Sequence, residues 1–219
     1  MSELLRRERV GYATGDELVR YLRWRGLPLD AARRAGLLRV DGREYLAGRI
    51  VFPEVRAGRV IWLIGRVLER GSGEPVPADP RYLGLPRRKP LLGWEEANRN
   101  LPGVCLVEGP TDLLALKHLG VPALALCGTY VAAESLELLK RWSWLYVVLD
   151  GDPAGQKATA RLIRTFGDRV IPVRLPAGLS DPGDLAAHPD GAELFCAVFR
   201  QAVQHHLGRG RAGFDDCTG

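Results

Sequence analysis

Along the second half of the chain, short apolar runs alternate with segments of helical period. Val104–Glu108, Ala123–Cys127, Trp144–Asp150 and Arg169–Leu175 have strand length and are rich in β-branched, aromatic and leucine side chains. Segments 111–119, 132–142 and 154–167 lie between them and carry apolar positions at helical spacing. Strands separated by helices of about ten residues predict βαβ units and a parallel sheet. Right-handed crossovers put the helices on both faces of that sheet. A further helix is expected over 190–207, followed by a polar, mobile tail over 208–219.

The first half has a different texture. Leu18, Tyr21 and Leu22, then Ala31, Ala32 and Ala35, fall at helical spacing, and Gly26 and Pro28 divide them into two short helices. Asp16 and Asp30 are suited to cap those helices. Residues 48–68 read as two apolar strands joined by a turn at Ala57-Gly58. Residues 71–103 are rich in Gly, Pro and charge and read as a long loop closed by a short helix near Glu95. The expected division is therefore a basic α+β subdomain over 1–103, an α/β domain over 104–187, and a C-terminal helix and tail over 188–219.

Composition narrows the class. Of 219 residues, 46% are hydrophobic and 26% charged, which suits a packed core. No apolar run approaches the roughly 20 residues of a membrane span, and Met1–Val10 lacks the apolar segment of a secretory signal. Cys105, Cys127, Cys196 and Cys217 form no CxxC or Cys/His cluster, so reduced thiols and a cytoplasmic location are expected, with no zinc. His118, His188, His205 and His206 read as surface or helix residues. Charge is unevenly shared. Residues 1–103 hold 20 Lys and Arg against 13 Asp and Glu, whereas residues 104–219 hold 11 against 13. A basic half attracts polyanions, with nucleic acid the commonest, although a solvated arginine-rich surface has the same composition.

The candidate chemistry lies at the predicted strand ends. In an open α/β sheet, ligands bind beyond the carboxyl ends of the strands. The first such strand runs into Glu108-Gly109-Pro110-Thr111-Asp112, the third into Asp150-Gly151-Asp152, and the fourth is followed by Asp181 and Asp184. Gly109 permits a tight turn, and Gly151 keeps a side chain from crowding between the two aspartates. Alternate residues of an extended segment point the same way, so Asp150 and Asp152 project together. Six carboxylates gathered in this way repel one another unless a cation intervenes. Oxygen donors without His or Cys favour Mg²⁺ or Mn²⁺ over zinc. Each aspartate has a second reading as the N-cap of the next helix.

Two motifs carry a family resemblance. VEGPTD at 107–112 and DGDPAG at 150–155 resemble the paired signatures of the toprim domain of bacterial primases, topoisomerases and small nucleases. The resemblance implies a Rossmann-like parallel sheet in which Glu108, Asp150 and Asp152 are catalytic and hold two or more Mg²⁺ or Mn²⁺ ions. It implies the same pocket for Asp112, Asp181 and Asp184. The strand pair at 48–68, PRYLGLP at 80–86, GWEEA at 93–97, CGT at 127–129 and LPAGLSDPGDL at 175–185 are similar to segments of DnaG-type primases. The match runs from about residue 16 to 187. Arg49, Arg66, Arg81 and one of Arg87, Arg88 and Lys89 stand at that family's basic positions, implying contacts with nucleotide or nucleic-acid phosphates. Trp94 or Tyr82 is the candidate to stack on a base, with packing the competing role of each.

The sequence also departs from the family pattern. Gly84-Leu85 stands where the family has Asn-Ser, and Gly183 replaces the second Asp of its DPD-like motif. The reading is a primase catalytic core without the family's zinc-binding and helicase-docking domains. The implied activity is metal-dependent synthesis of RNA primers from ribonucleoside triphosphates on a single-stranded DNA template. A replicative helicase or a separate zinc-domain protein is the expected partner. A toprim nuclease and a non-catalytic DNA-binding replication module are the rival readings.

Overall fold

The computed structural model describes residues 10–12, 22–23, 38–40, 46, 49–67, 80–97, 100–128 and 130–215. Of the two helices expected over 16–36, only Leu22 and Arg23 lie among the described residues, and both are helical. The expected caps Asp16 and Asp30 lie outside them.

The first half builds an antiparallel sheet in the order β1 (Val10–Tyr12), β2 (Leu38–Val40), β3 (Arg49–Arg56), β4 (Arg59–Val67) and β5 (Tyr82–Gly84). The turn between β3 and β4 is the expected Ala57-Gly58, with φ of 48° and 70°. Two successive left-handed residues match the twist of the flanking strands, and Gly58 adopts that conformation without steric cost. β5 lies inside the segment read as loop; its three residues are too few to show a period. The chain next forms helix α1 (Trp94–Ala97).

The parallel sheet follows the expected order of elements. β6 (Gly103–Val107) leads to α2 (Pro110–His118), β7 (Ala123–Ala125), α3 (Ala133–Leu139), β8 (Trp144–Val148), α4 (Pro153–Phe166) and β9 (Val170–Pro172). The strands lie in the order β7-β6-β8-β9, all parallel. A short helix, α5 (Pro182–Ala187), and a long one, α6 (Gly191–Asp215), close the chain. α6 runs through Gly208 to Asp215, where the sequence pattern predicted a polar tail. α5 escaped the sequence reading because six residues show no period; its signals are Asp181 at the cap and Pro182 at the first position.

Alternate residues of β6 enter opposite cores. Cys105 and Val107 pack with Ile50, Val51, Phe52, Leu63 and Leu113. Val104 and Leu106 pack with Leu91, Leu124, Trp142, Leu145 and Leu162. The first of these cores runs without interruption from the antiparallel sheet to one face of the parallel sheet. A further link is Leu92, which exchanges two backbone hydrogen bonds of 3.0 Å with Ala125 and so covers the β7 edge. Among the described residues no helix is long and apolar enough to cross a membrane.

Candidate metal centre

The strand order decides where a ligand can sit. From β6 the chain crosses to β7 on one side, then returns to β8 on the other. The crevice at this switch point lies beyond the carboxyl ends of β6 and β8. Glu108 follows β6 directly, and Asp150 lies two residues past the end of β8.

Glu108 Oε2 is buried and has no hydrogen-bond partner among the described residues. Burial pushes the Glu108 carboxyl above its usual range, and the charges of Asp150 and then Asp152 push it the same way. The carboxylates are thus close enough to repel. Among the described residues, however, no three acidic, His or Cys side chains converge as a ready-made metal cage. The donor set fits a hard divalent cation: every group is a carboxylate, and the buried Glu108 Oε2 lacks a hydrogen-bond partner among the described residues. Beside these residues lies a cleft of about 940 Å³ lined by Asp150, Gly151, Asp152, Arg174, Ser180 and Asp181 among others. Arg174 is exposed at this cleft, and no sequence motif had marked it.

The aspartates divide into two groups. Asp152 caps α4, its Oδ1 accepting from Gly155 N at 2.7 Å. Asp181 caps α5, its Oδ1 accepting from Asp184 N at 2.9 Å, and Asp184 Oδ2 accepts from Ser180 N at 2.9 Å. Asp112 is buried, and its Oδ2 accepts from Gly109 N at 2.9 Å. Asp152 and Asp181 are therefore N-caps, whereas Asp112, in the first turn of α2, closes back on the backbone of the capping residue Gly109. Asp152 and Asp181 also line the cleft, whereas Asp112 is drawn back onto its own turn and Asp184 onto Ser180.

The glycine argument shifts from Gly151 to another position. A Cβ at Gly151 would meet nothing within 4 Å, so crowding between the aspartates does not require glycine there. A Cβ at Gly155 would overlap the Asp150 carbonyl oxygen, so the close approach of α4 to the Asp150 backbone does require it. At Gly109, a Cβ would come within 3.2 Å of Asp112 Oδ2 and 3.5 Å of Tyr82 Oη.

The cationic positions are dispersed. Arg49 and Arg66, expected at phosphates, are instead 4% and 2% exposed. Arg49 Nη1 donates to Pro80 O at 2.8 Å. Arg66 Nη1 donates to Tyr82 Oη at 3.1 Å and Thr111 Oγ1 at 3.3 Å, and these two hydroxyls are 2.9 Å apart. Arg66 thus ties the turn after Glu108 to the antiparallel sheet, and Arg49 ties β3 to the segment before β5. Lys89 is half-buried, its Nζ donating to Cys127 O at 3.0 Å and Tyr130 O at 2.8 Å; burial holds its amine below the usual lysine range. Arg81, Arg87 and Arg88 are exposed, with Arg88 paired to Glu134 at 2.9 Å. Neither proposed stacking residue is open. Tyr82 belongs to the Arg66 cluster, and Trp94 lies between Trp142 at 5.3 Å and the Arg56 guanidinium at 4.4 Å.

Glu54 was not legible in the sequence. It is fully buried on β3, beside a register shift at Glu54/Val55. Its Oε1 pairs with Arg56 Nε at 2.5 Å, and its Oε2 accepts from Gly93 N at 2.6 Å. It thereby fastens the start of α1 to the antiparallel sheet. Burial pushes its carboxyl upward, against the opposing pull of Arg56 and the backbone donors.

A parallel sheet in this order, with Glu after one central strand and Asp-x-Asp after its neighbour, defines the toprim class. The Toprim-like family profile matches residues 105–185. Among curated relatives, DNA primase of Pseudomonas aeruginosa is 33% identical over 212 residues, covering 86% of this chain and 31% of its own length. DNA primase of Deinococcus radiodurans is 33% identical over 208 residues, covering 84% of this chain and 35% of its own. The structure of the DnaG catalytic core matches with a TM-score of 0.69 at 26% identity, covering 85% of this chain and 73% of that one. The DnaG primase catalytic domain bound to ssDNA matches with a TM-score of 0.60 at 29% identity, covering 91% and 67%. The chain belongs to the DnaG-type primase family and carries its toprim domain; it spans about a third of the length of the curated relatives it matches.

Proposed function

We propose that this chain joins ribonucleotides into short primers on single-stranded DNA, using Mg²⁺ or Mn²⁺ held by Glu108, Asp150 and Asp152. The observation that carries this reading is the buried, unpartnered Glu108 Oε2 facing the charges of Asp150 and Asp152 at the sheet's switch point. Bound divalent ions supply Lewis-acid stabilisation of the triphosphate and lower the pKa of the attacking 3′ hydroxyl.

The side chains have distinct tasks. Glu108 offers an oxygen that no donor among the described residues satisfies. Asp152 commits Oδ1 to Gly155 N and keeps Oδ2 for an ion. Asp181 adds negative charge at the same cleft, and Asp112 and Asp184 brace the turns that carry Glu108 and Asp181. Arg174 brings a positive charge to the cleft, suited to triphosphate oxygens. Exposed Arg81, Arg87 and Arg88 suit the template backbone. In this reading residues 1–103 present the template and 104–187 hold the ions, while α6 packs against the sheet through Phe195, Phe199 and His206. A replicative helicase or a separate zinc-domain protein is the proposed partner.

Single-stranded DNA, four labelled ribonucleotides and Mn²⁺ provide the test, with the DNA labelled in a parallel reaction. Short labelled RNA products are expected from the wild type and none from Asp150→Ala, with the circular dichroism of the two unchanged. Shortened DNA would favour a toprim nuclease, and salt-sensitive binding without chemistry would favour a DNA-binding module. Either result would overturn the primase reading.

A further inference from the structure

We infer that Tyr130 is a stacking platform for a base of single-stranded DNA, flanked by a cationic stripe along α4. This rests on the reading of the chain as acting on a single-stranded template.

Tyr130 is 66% exposed, more than any other exposed large apolar side chain among the described residues. The loop that carries it is not loosely attached. Its backbone oxygen accepts from Lys89 Nζ at 2.8 Å, and the same amine holds Cys127 O at 3.0 Å. Two residues earlier, Gly128 N donates to Glu108 O at 3.2 Å. The ring is thereby tied, through backbone contacts, to the residue that heads the metal centre. Val131, next in the chain, is buried and accepts from Arg161 Nη2 at 3.4 Å.

The Arg161 guanidinium also lies 5.2 Å from the Tyr130 ring centroid. A cation over one face, with most of the ring still exposed, leaves the remaining surface for a flat apolar partner. Arg161 is not alone on its helix. Lys157 and Arg164 are four residues before and three after it, so the three share one face. Lys157 and Arg164 are exposed. α4 begins at the Asp152 cap, so this stripe leads away from the candidate metal centre. An aromatic face beside a row of cations matches a single strand, whose bases stack and whose phosphates follow the charge. A duplex would hide its base faces from the ring, and a peptide would not demand the cationic row.

The test measures anisotropy of a labelled dT oligonucleotide bound to the full chain across a salt series, with EDTA and without nucleotides. Tyr130→Ala is expected to weaken binding about tenfold at every salt concentration, leaving the salt slope unchanged. Tyr130→Phe should bind as the wild type does. Arg161→Ala should weaken binding and make the salt slope shallower by about one. On an oligonucleotide with abasic sites, the gap between wild type and Tyr130→Ala should vanish. Unchanged binding by Tyr130→Ala, or an equal loss in Tyr130→Phe, would overturn the proposal. Because the assay contains neither free divalent ions nor nucleotides, failure of primer synthesis would strike the catalytic reading and leave this one standing.

Discussion

Arg66, near the end of β4, reaches Thr111 in the first turn of α2, its Nη1 donating to Oγ1 at 3.3 Å. Both side chains are buried, and Tyr82 Oη lies 2.9 Å from the same threonine oxygen. Three side chains from three elements thus converge three residues past Glu108. The antiparallel sheet thereby holds the turn that carries the first candidate ligand.

Thr111→Val keeps the shape of the side chain but removes an acceptor for Arg66 and the partner of the Tyr82 hydroxyl. A loss of about 1–3 kcal/mol is expected in urea unfolding, because buried polar groups must then be satisfied elsewhere. Thr111→Ser should recover most of it. If valine were as stable as threonine, the cluster would hold nothing.

Gly155 and Gly151 should respond oppositely to alanine. At Gly155 the added carbon overlaps the Asp150 carbonyl, so Asp150 must move and Mn²⁺ affinity, read by calorimetry, should fall by tenfold or more. At Gly151 the added carbon meets open space, and affinity should be retained. Equal behaviour of the two variants would contradict the packing described.

Glu108→Gln should stabilise the protein when no divalent ion is present. In the folded chain the Glu108 carboxyl is raised above its usual value of 4.5. Stability from this group is therefore full at low pH and lost as pH rises through the folded value. Glutamine undergoes no such loss, so the gap in Tm between the variant and the wild type should open as pH climbs past that range. Added Mn²⁺ should raise the wild-type Tm and leave Glu108→Gln little changed, since the ion relieves the repulsion only where the carboxylate exists. A gap that is constant from pH 4 to 8, about the window in which a raised carboxyl titrates, would refute the electrostatic account.

Glu54→Ala should be among the most damaging substitutions outside the metal centre. It strips Arg56 of its partner and the Gly93 and Trp94 amides of an acceptor. A loss of about 3 kcal/mol is expected from thermal or urea unfolding. Glu54→Gln retains an oxygen for Gly93 N and should cost less.

The alternation of apolar runs with helical segments was sufficient to predict a parallel sheet and to set Glu108 and Asp150 at strand ends, whereas the order of the strands in that sheet was not in it. Those are local matters: the period of a strand, the length of a helix and a glycine after a carboxylate depend on neighbours in the chain. Hence the hairpin turn at Ala57-Gly58 and the toprim class were legible in the residues themselves. Tertiary structure decided what each polar side chain meets. Arg49 and Arg66 read as phosphate ligands by position, yet both are buried against Pro80 O, Tyr82 and Thr111. Neither Glu54 nor Tyr130 belongs to a motif that marks it out in the sequence. Their environments are assembled from segments 30 to 45 residues apart, as in Glu54 with Gly93 and Arg66 with Thr111. A side chain's exposure and its hydrogen-bond partners arise from how distant elements pack, and no local pattern of residues carries that information.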